Sequence, residues 1–147
     1  MKPLIQGRDI DQLKRFIRRV SRKDYPVNIQ IFTDNREFAY GYLVSSYIDY
    51  GVETMLLQIN TDLEANVQLR LLHEVGHFEG KQGGTIVEDE YEAHKWAIER
   101  TEELGWTKLN KQLKMELREW SESKSWWNSG YRRYVLAGRL AIKRKLI

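Results

Sequence analysis

The chain has 147 residues, and that length fits one domain able to bury an apolar core without covalent cross-links. Cysteine is absent, which excludes a disulfide framework and a thiolate metal site, so any bound metal must rest on His and carboxylate ligands. No stretch approaches the roughly 18 apolar residues that cross a membrane, and the N-terminus lacks the apolar run of a signal peptide. We therefore expect a cytoplasmic protein without membrane attachment.

Charge is distributed unevenly along the sequence. The net charge is +3, but residues 51–106 carry four basic and twelve acidic groups, whereas residues 107–147 carry eleven basic and three acidic groups. This asymmetry predicts an acidic central region followed by a basic C-terminal segment.

The first 60 residues predict one helix and three strands. Residues 9–23 have the apolar periodicity of an amphipathic helix, with Ile10, Leu13, Phe16, Ile17 and Val20 on its apolar side. Residues 27–32 alternate as a half-buried strand, and residues 38–48 and 53–60 are rich in strand-forming residues around a turn signal. The predicted fold class is α+β, with a small antiparallel three-stranded sheet packed against a helical bundle.

A helix predicted over residues 62–79 contains the motif H-E-V-G-H. Thr61-Asp62-Leu63-Glu64 reads as its capping box, and the apolar stripe is Leu63, Val67, Leu71, Val75 and Phe78. A spacing of four places His73 and His77 on one face of a helix, where two imidazoles can bind one Zn²⁺ ion. Glu74 is then the candidate general base, since it can take a proton from a zinc-bound water. The motif therefore predicts a zinc peptidase.

The remaining chain predicts three helices. A glycine-rich break at residues 80–84 precedes a helix over residues 85–104, residues 106–122 form the next helix, and residues 131–147 form a basic amphipathic helix. We expect one domain over residues 1–147. Its core spans about residues 9–105, and residues 106–147 form a basic helical extension.

A third zinc ligand is expected on the helix after the glycine-rich break, because catalytic zinc generally has three protein ligands. Glu92 and His94 compete, and a separation of two places them about 200° apart on a helix. Glu92 lies on the polar side with Trp96 and is favoured, which leaves His94 as a partly buried histidine or an outer partner. Glu88 and Asp89 could accept the outward N–H of a ligating histidine.

The segment Glu90–Ala97, E-Y-E-A-H-K-W-A, gives the sequence a family resemblance. H-E-V-G-H followed by this segment resembles the ImmA/IrrE metallopeptidases, whose pattern is H-E-x-G-H and then E-x-E-A-N/D-x-F-A. The resemblance covers roughly residues 10–105 and implies a minimal zincin-like fold, a gluzincin-type zinc endopeptidase and Glu92 as the third ligand. It also implies a protein substrate such as a helix-turn-helix transcriptional repressor of a phage, a mobile element or a stress circuit.

Other interpretations stay open. Tyr131, Arg132 and Tyr134 are candidate oxyanion stabilisers if the C-terminal segment folds back over the cleft. With His94 as third ligand the chain would resemble the DNA-associated SprT metallopeptidases. Alternatively, the basic C-terminal helix could bind nucleic acid or an acidic protein, with the zinc site structural or vestigial.

Overall fold

The computed structural model describes residues 9–32, 42–60, 66–124 and 131–147. Five helices and three strands confirm the α+β class. The elements are α1 (Ile10–Val20), β1 (Val27–Phe32), β2 (Tyr42–Asp49), β3 (Val52–Asn60), α2 (Val67–Glu79), α3 (Ile86–Leu104), α4 (Thr107–Glu122) and α5 (Arg132–Lys143). In these ranges no helix combines the length and apolar character needed to cross a membrane.

The chain divides into two compact units, residues 1–79 and residues 80–147. The division falls directly after α2, and not near residue 105 where the sequence suggested that a core gives way to an extension. α3, α4 and α5 pack against one another within the second unit, so α3 groups with the basic C-terminal helices. The prediction of one domain over residues 1–147 stays a prediction.

The sheet of the first unit has the strand order β1-β3-β2. β2 and β3 form the predicted antiparallel hairpin, whose turn places Tyr50 and Gly51 at positive φ of 49° and 77°. β1 pairs parallel with β3, with Val27 opposite Met55. The expectation of a fully antiparallel sheet is therefore wrong for β1, because alternation identifies a buried face but not the direction of pairing.

α1 follows its predicted amphipathic pattern over a shorter range. The Asp9 side chain caps it by accepting a hydrogen bond from the Gln12 N–H at 3.1 Å, and the helix ends before Ser21 and not at Lys23. Ile10, predicted on the apolar side, is 39% exposed, since it lies at the first helical position. The buried residues are Leu13, Phe16, Ile17 and Val20.

α2 begins later than its sequence pattern suggested. Asn66 has a φ of +62°, a left-handed conformation that no helix interior adopts, so the helical residues start at Val67. The predicted capping box at residues 61–64 lies outside the described residues. Leu69 and Leu72 are buried in addition to the predicted stripe, so α2 is enclosed on more than one side.

α3 has the ends that the sequence predicted. The Thr85 side chain accepts a hydrogen bond from the Glu88 N–H at 3.1 Å, and Gly105 ends the helix at a φ of 71°. α4 is joined to α3 by the buried Asn110, whose amide donates to the Ile98 carbonyl at 2.9 Å and to the Thr101 hydroxyl at 3.2 Å.

α5 lies very close to α4 at Gly138. A Cβ atom at this position would lie 2.6 Å from the Leu117 carbonyl oxygen and 2.7 Å from the Ser121 nitrogen. Val135 is buried, whereas Ile142 near the helix end is 49% exposed.

Candidate metal centre

The two histidines of the H-E-V-G-H motif lie side by side on α2. Their ring centroids are 4.6 Å apart and the ring planes are nearly perpendicular at 89°. A spacing of four residues on a helix predicts this proximity. His73 is only 3% exposed and His77 is half-buried, so the motif does not present two solvated histidines.

Glu74, the predicted general base, is 9% exposed. Burying a carboxylate costs free energy unless polar or charged partners compensate. A buried carboxylate beside two imidazoles is therefore typical of a functional group and uncommon as a packing element.

The C-terminal end of α2 is held by the segment that follows α1. The Glu79 carboxylate accepts hydrogen bonds from the Arg22 backbone N–H at 2.9 Å and from the Tyr25 hydroxyl at 2.6 Å. The Tyr25 ring packs against Phe78 with a centroid distance of 4.6 Å. Burial and the hydrogen bond to Glu79 raise the pKa of Tyr25 well above its usual range, so the phenol stays neutral. These contacts fix the turn of α2 that follows His77.

α3 buries Glu90 and His94, one turn apart on the same face. Glu90 is 7% exposed and His94 is fully buried, whereas Glu92 is half-buried. Trp96 is buried as well, although it lies four residues after Glu92 on the side of α3 that the sequence predicted to be polar. Burial of the large apolar ring of a tryptophan is favourable even where its neighbours in the sequence are polar.

Among the described residues, one group of His, Asp and Glu side chains could hold a metal ion: His73, His77 and Glu90. Each offers one ligand atom: a ring nitrogen from each histidine and a carboxylate oxygen from Glu90. The group contains both predicted histidines, but it contains neither Glu92 nor His94. Glu90 was not among the predicted ligands, although a spacing of four from His94 places both residues on one face of the helix.

His94 lies in an aromatic and acidic environment within the second unit. Its Nε2 atom is 3.4 Å from the Glu116 Oε1 atom, and its ring centroid is 4.7 Å from that of Trp120. The sequence predicted a partly buried histidine, and His94 is fully buried. Its predicted roles as an outer partner or an alternative ligand stay predictions.

Glu92 lines a pocket of about 360 Å³ with residues of the glycine-rich break and of α3. Glu88 and Asp89, the predicted acceptors for a ligating histidine, line the same pocket together with Arg144. Glu88 is exposed and Asp89 is half-buried. Glu90, which is more deeply buried than Glu92, is therefore an alternative candidate for the third ligand.

The three predicted oxyanion stabilisers lie at the start of α5. Tyr131 and Arg132 are exposed, and Tyr134 packs against Trp120 with a centroid distance of 4.9 Å. Tyr134 also accepts a hydrogen bond from the Arg133 guanidinium at 3.2 Å. These contacts give Tyr134 a packing role within the second unit.

No protein-family model, no curated protein and no solved structure matches this chain. The resemblance to the ImmA/IrrE metallopeptidases therefore stays a prediction from the two motifs.

Proposed function

We propose that this protein is a zinc-dependent endopeptidase in which His73, His77 and Glu90 hold the metal ion and Glu74 is the general base. One observation carries the proposal: the helix with the H-E-V-G-H motif supplies two members of a group of possible metal ligands, and the residue between them in the motif is a buried carboxylate.

The donor atoms fit zinc. Two imidazole nitrogens and one carboxylate oxygen are a ligand set of catalytic zinc, which keeps a fourth position open for water or substrate. The same donors suit a structural site less well, since structural zinc usually takes four protein ligands, often thiolates, and this chain has no cysteine. A Zn²⁺ ion bound here would act as a Lewis acid and would lower the pKa of a coordinated water to about 7.

Glu74 would move the protons of hydrolysis. It takes a proton from the attacking water as the new bond between carbon and oxygen forms. It then returns that proton to the departing amine as the bond between carbon and nitrogen breaks. The carboxylate is regenerated, so the reaction needs no other reactant than water and peptide.

The position of β2 favours an extended peptide as substrate. In the described part of the sheet β2 pairs with β3 along one edge, and α2 packs against β2. A sheet edge can bind an extended chain through main-chain hydrogen bonds, which presents a peptide bond without selecting its side chains. We propose a protein substrate, and the family resemblance makes a helix-turn-helix repressor the first one to test.

The test combines metal analysis with proteolysis. Purified protein should contain zinc and should cleave fluorescent casein or a repressor encoded beside it, and a chelator should abolish cleavage. Glu74→Gln should lower turnover by about 10²- to 10⁴-fold while zinc is retained, because only the base is removed. Glu53→Gln, at an exposed position on β3, is the matched control and should keep full activity. Full activity of Glu74→Gln would overturn the proposal.

A second candidate function is nucleic-acid binding through α5. Its sequence contains no acidic residue, and Arg132, Arg139 and Lys143 are exposed. Such a surface can neutralise phosphates, and its affinity would fall steeply with added salt. Salt-sensitive DNA binding by a chain that shows no chelator-sensitive proteolysis would favour this function over the peptidase.

A further inference from the structure

Tyr42 is a buried tyrosine that the proposed mechanism has not yet used. It is the first residue of β2, pairs with Ile59 of β3, and is 5% exposed. Its hydroxyl is buried and has no hydrogen-bond partner among the described residues. Tyr42 differs in this from the half-buried Tyr25 of the same unit, whose hydroxyl is hydrogen-bonded with Ser21 and Glu79.

An unpartnered buried hydroxyl destabilises a fold, and a phenylalanine ring would fill the same space without that cost. Packing alone therefore does not explain why this position carries a phenol hydroxyl. A molecule that enters the site and accepts a hydrogen bond would provide one.

Tyr42 lies on the strand that packs against α2, the helix of the proposed base. Burial raises the pKa of the Tyr42 hydroxyl to about 12, while the positive charge of Arg70 lowers it and the negative charge of Glu74 raises it. The hydroxyl thus keeps its proton at any physiological pH and can always donate. Both charged residues belong to α2, which packs against β2.

We propose that the Tyr42 hydroxyl donates a hydrogen bond to the carbonyl oxygen of the peptide bond that is hydrolysed. This oxygen gains negative charge when water adds to the carbonyl carbon, and a donor held in place stabilises that charge without transferring its proton. The inference rests on the proposed peptidase function. It gives the oxyanion role to a residue of the first unit in place of Tyr131, Arg132 or Tyr134.

Tyr42→Phe removes the donor and keeps the ring. We expect kcat to fall about 10²- to 10³-fold with KM nearly unchanged, since the hydrogen bond strengthens only as charge develops. A phosphinic peptide, whose tetrahedral phosphorus group carries an anionic oxygen, should bind the zinc-loaded variant more weakly by calorimetry. Zinc content should not change, and the melting temperature should hold or rise.

Tyr47→Phe is the matched control. It lies on the same strand, is 38% exposed and accepts a hydrogen bond from the Asn28 side chain at 3.3 Å. This variant should keep wild-type turnover and wild-type affinity for the phosphinic peptide.

The outcomes separate this inference from the proposed function. An active wild-type protein whose Tyr42→Phe variant keeps both turnover and phosphinate affinity would overturn the role of Tyr42 alone. A wild-type protein that neither cleaves peptides nor binds the phosphinic peptide when loaded with zinc would overturn both.

Discussion

α2 and α3 offer the candidate ligands in different ways. On α2 the ligands are fixed by a motif, because His73 and His77 must share a face at a spacing of four residues. α3 offers no such pair of ligands at a fixed spacing. Only the burial of the helix face distinguishes Glu90 from Glu92 as the candidate ligand. A short motif thus defines its residues directly, whereas a single distant ligand depends on a correct assignment of the helix face.

The polarity of neighbouring residues is a poor guide to which face of a helix carries a metal ligand. A buried metal ligand is a polar residue on the buried face of a helix. It is therefore an exception to the amphipathic pattern from which the buried face is predicted. Glu92 lies among polar residues and therefore looked like the inner ligand, although Glu90 is the more buried of the two. A buried carboxylate within an apolar face is the better signal.

The largest expected effect comes from exchanging the two glutamates separately. Glu90→Gln should lose most of the bound zinc, since it replaces a charged ligand with a neutral amide. Glu92→Gln has the same chemistry two residues away and should keep its zinc. Metal content after dialysis, measured by mass spectrometry, checks both variants. Loss of zinc only from Glu92→Gln would restore the ligand set predicted from the sequence.

A smaller effect is expected where α3 is fixed to α4. Asn110→Ala removes the amide that donates to Ile98 and Thr101, and it leaves buried acceptors without this donor. We expect a loss of about 1 to 3 kcal/mol in the free energy of unfolding, measured by urea denaturation. Lys111→Ala, at the exposed neighbouring position, should change it little. Equal stability of the two variants would show that this contact does not fix α3.

The smallest effect is expected at the end of α2. Glu79→Gln removes the charge that accepts from Arg22 and Tyr25 and should cost about 0.5 to 1.5 kcal/mol. The pKa of Tyr25 should also fall towards its usual value, because the carboxylate is one of the causes that raise it. Ultraviolet titration of the tyrosines checks this shift against Glu99→Gln, which removes an exposed ion pair on α3. A Tyr25 pKa that does not move would exclude Glu79 as a cause.

Local patterns predicted most of the fold. The ends of α3, the residues of β1 and the hairpin between β2 and β3 follow from caps, alternation and turn residues that lie close together in the sequence. The parallel pairing of β1 could not be predicted in this way, since its register with β3 joins Val27 to Met55 across a long stretch of chain.

The sequence predicted some residues of the candidate site and not others. His73, Glu74 and His77 follow from one motif, and the burial of His73 and Glu74 on α2 is in accord with a functional role. Tyr42 carried no sequence signal, because a tyrosine at the start of a strand is ordinary and only its buried hydroxyl distinguishes it.

The contact at Gly138 limits how this sequence can change. Alanine normally improves a helix relative to glycine by about 1 kcal/mol, but here its methyl group would collide with backbone atoms of α4. A homologous chain with any larger residue at this position must hold its last two helices farther apart. Glycine at this site is thus a marker by which the same tight helix pair can be recognised in divergent sequences.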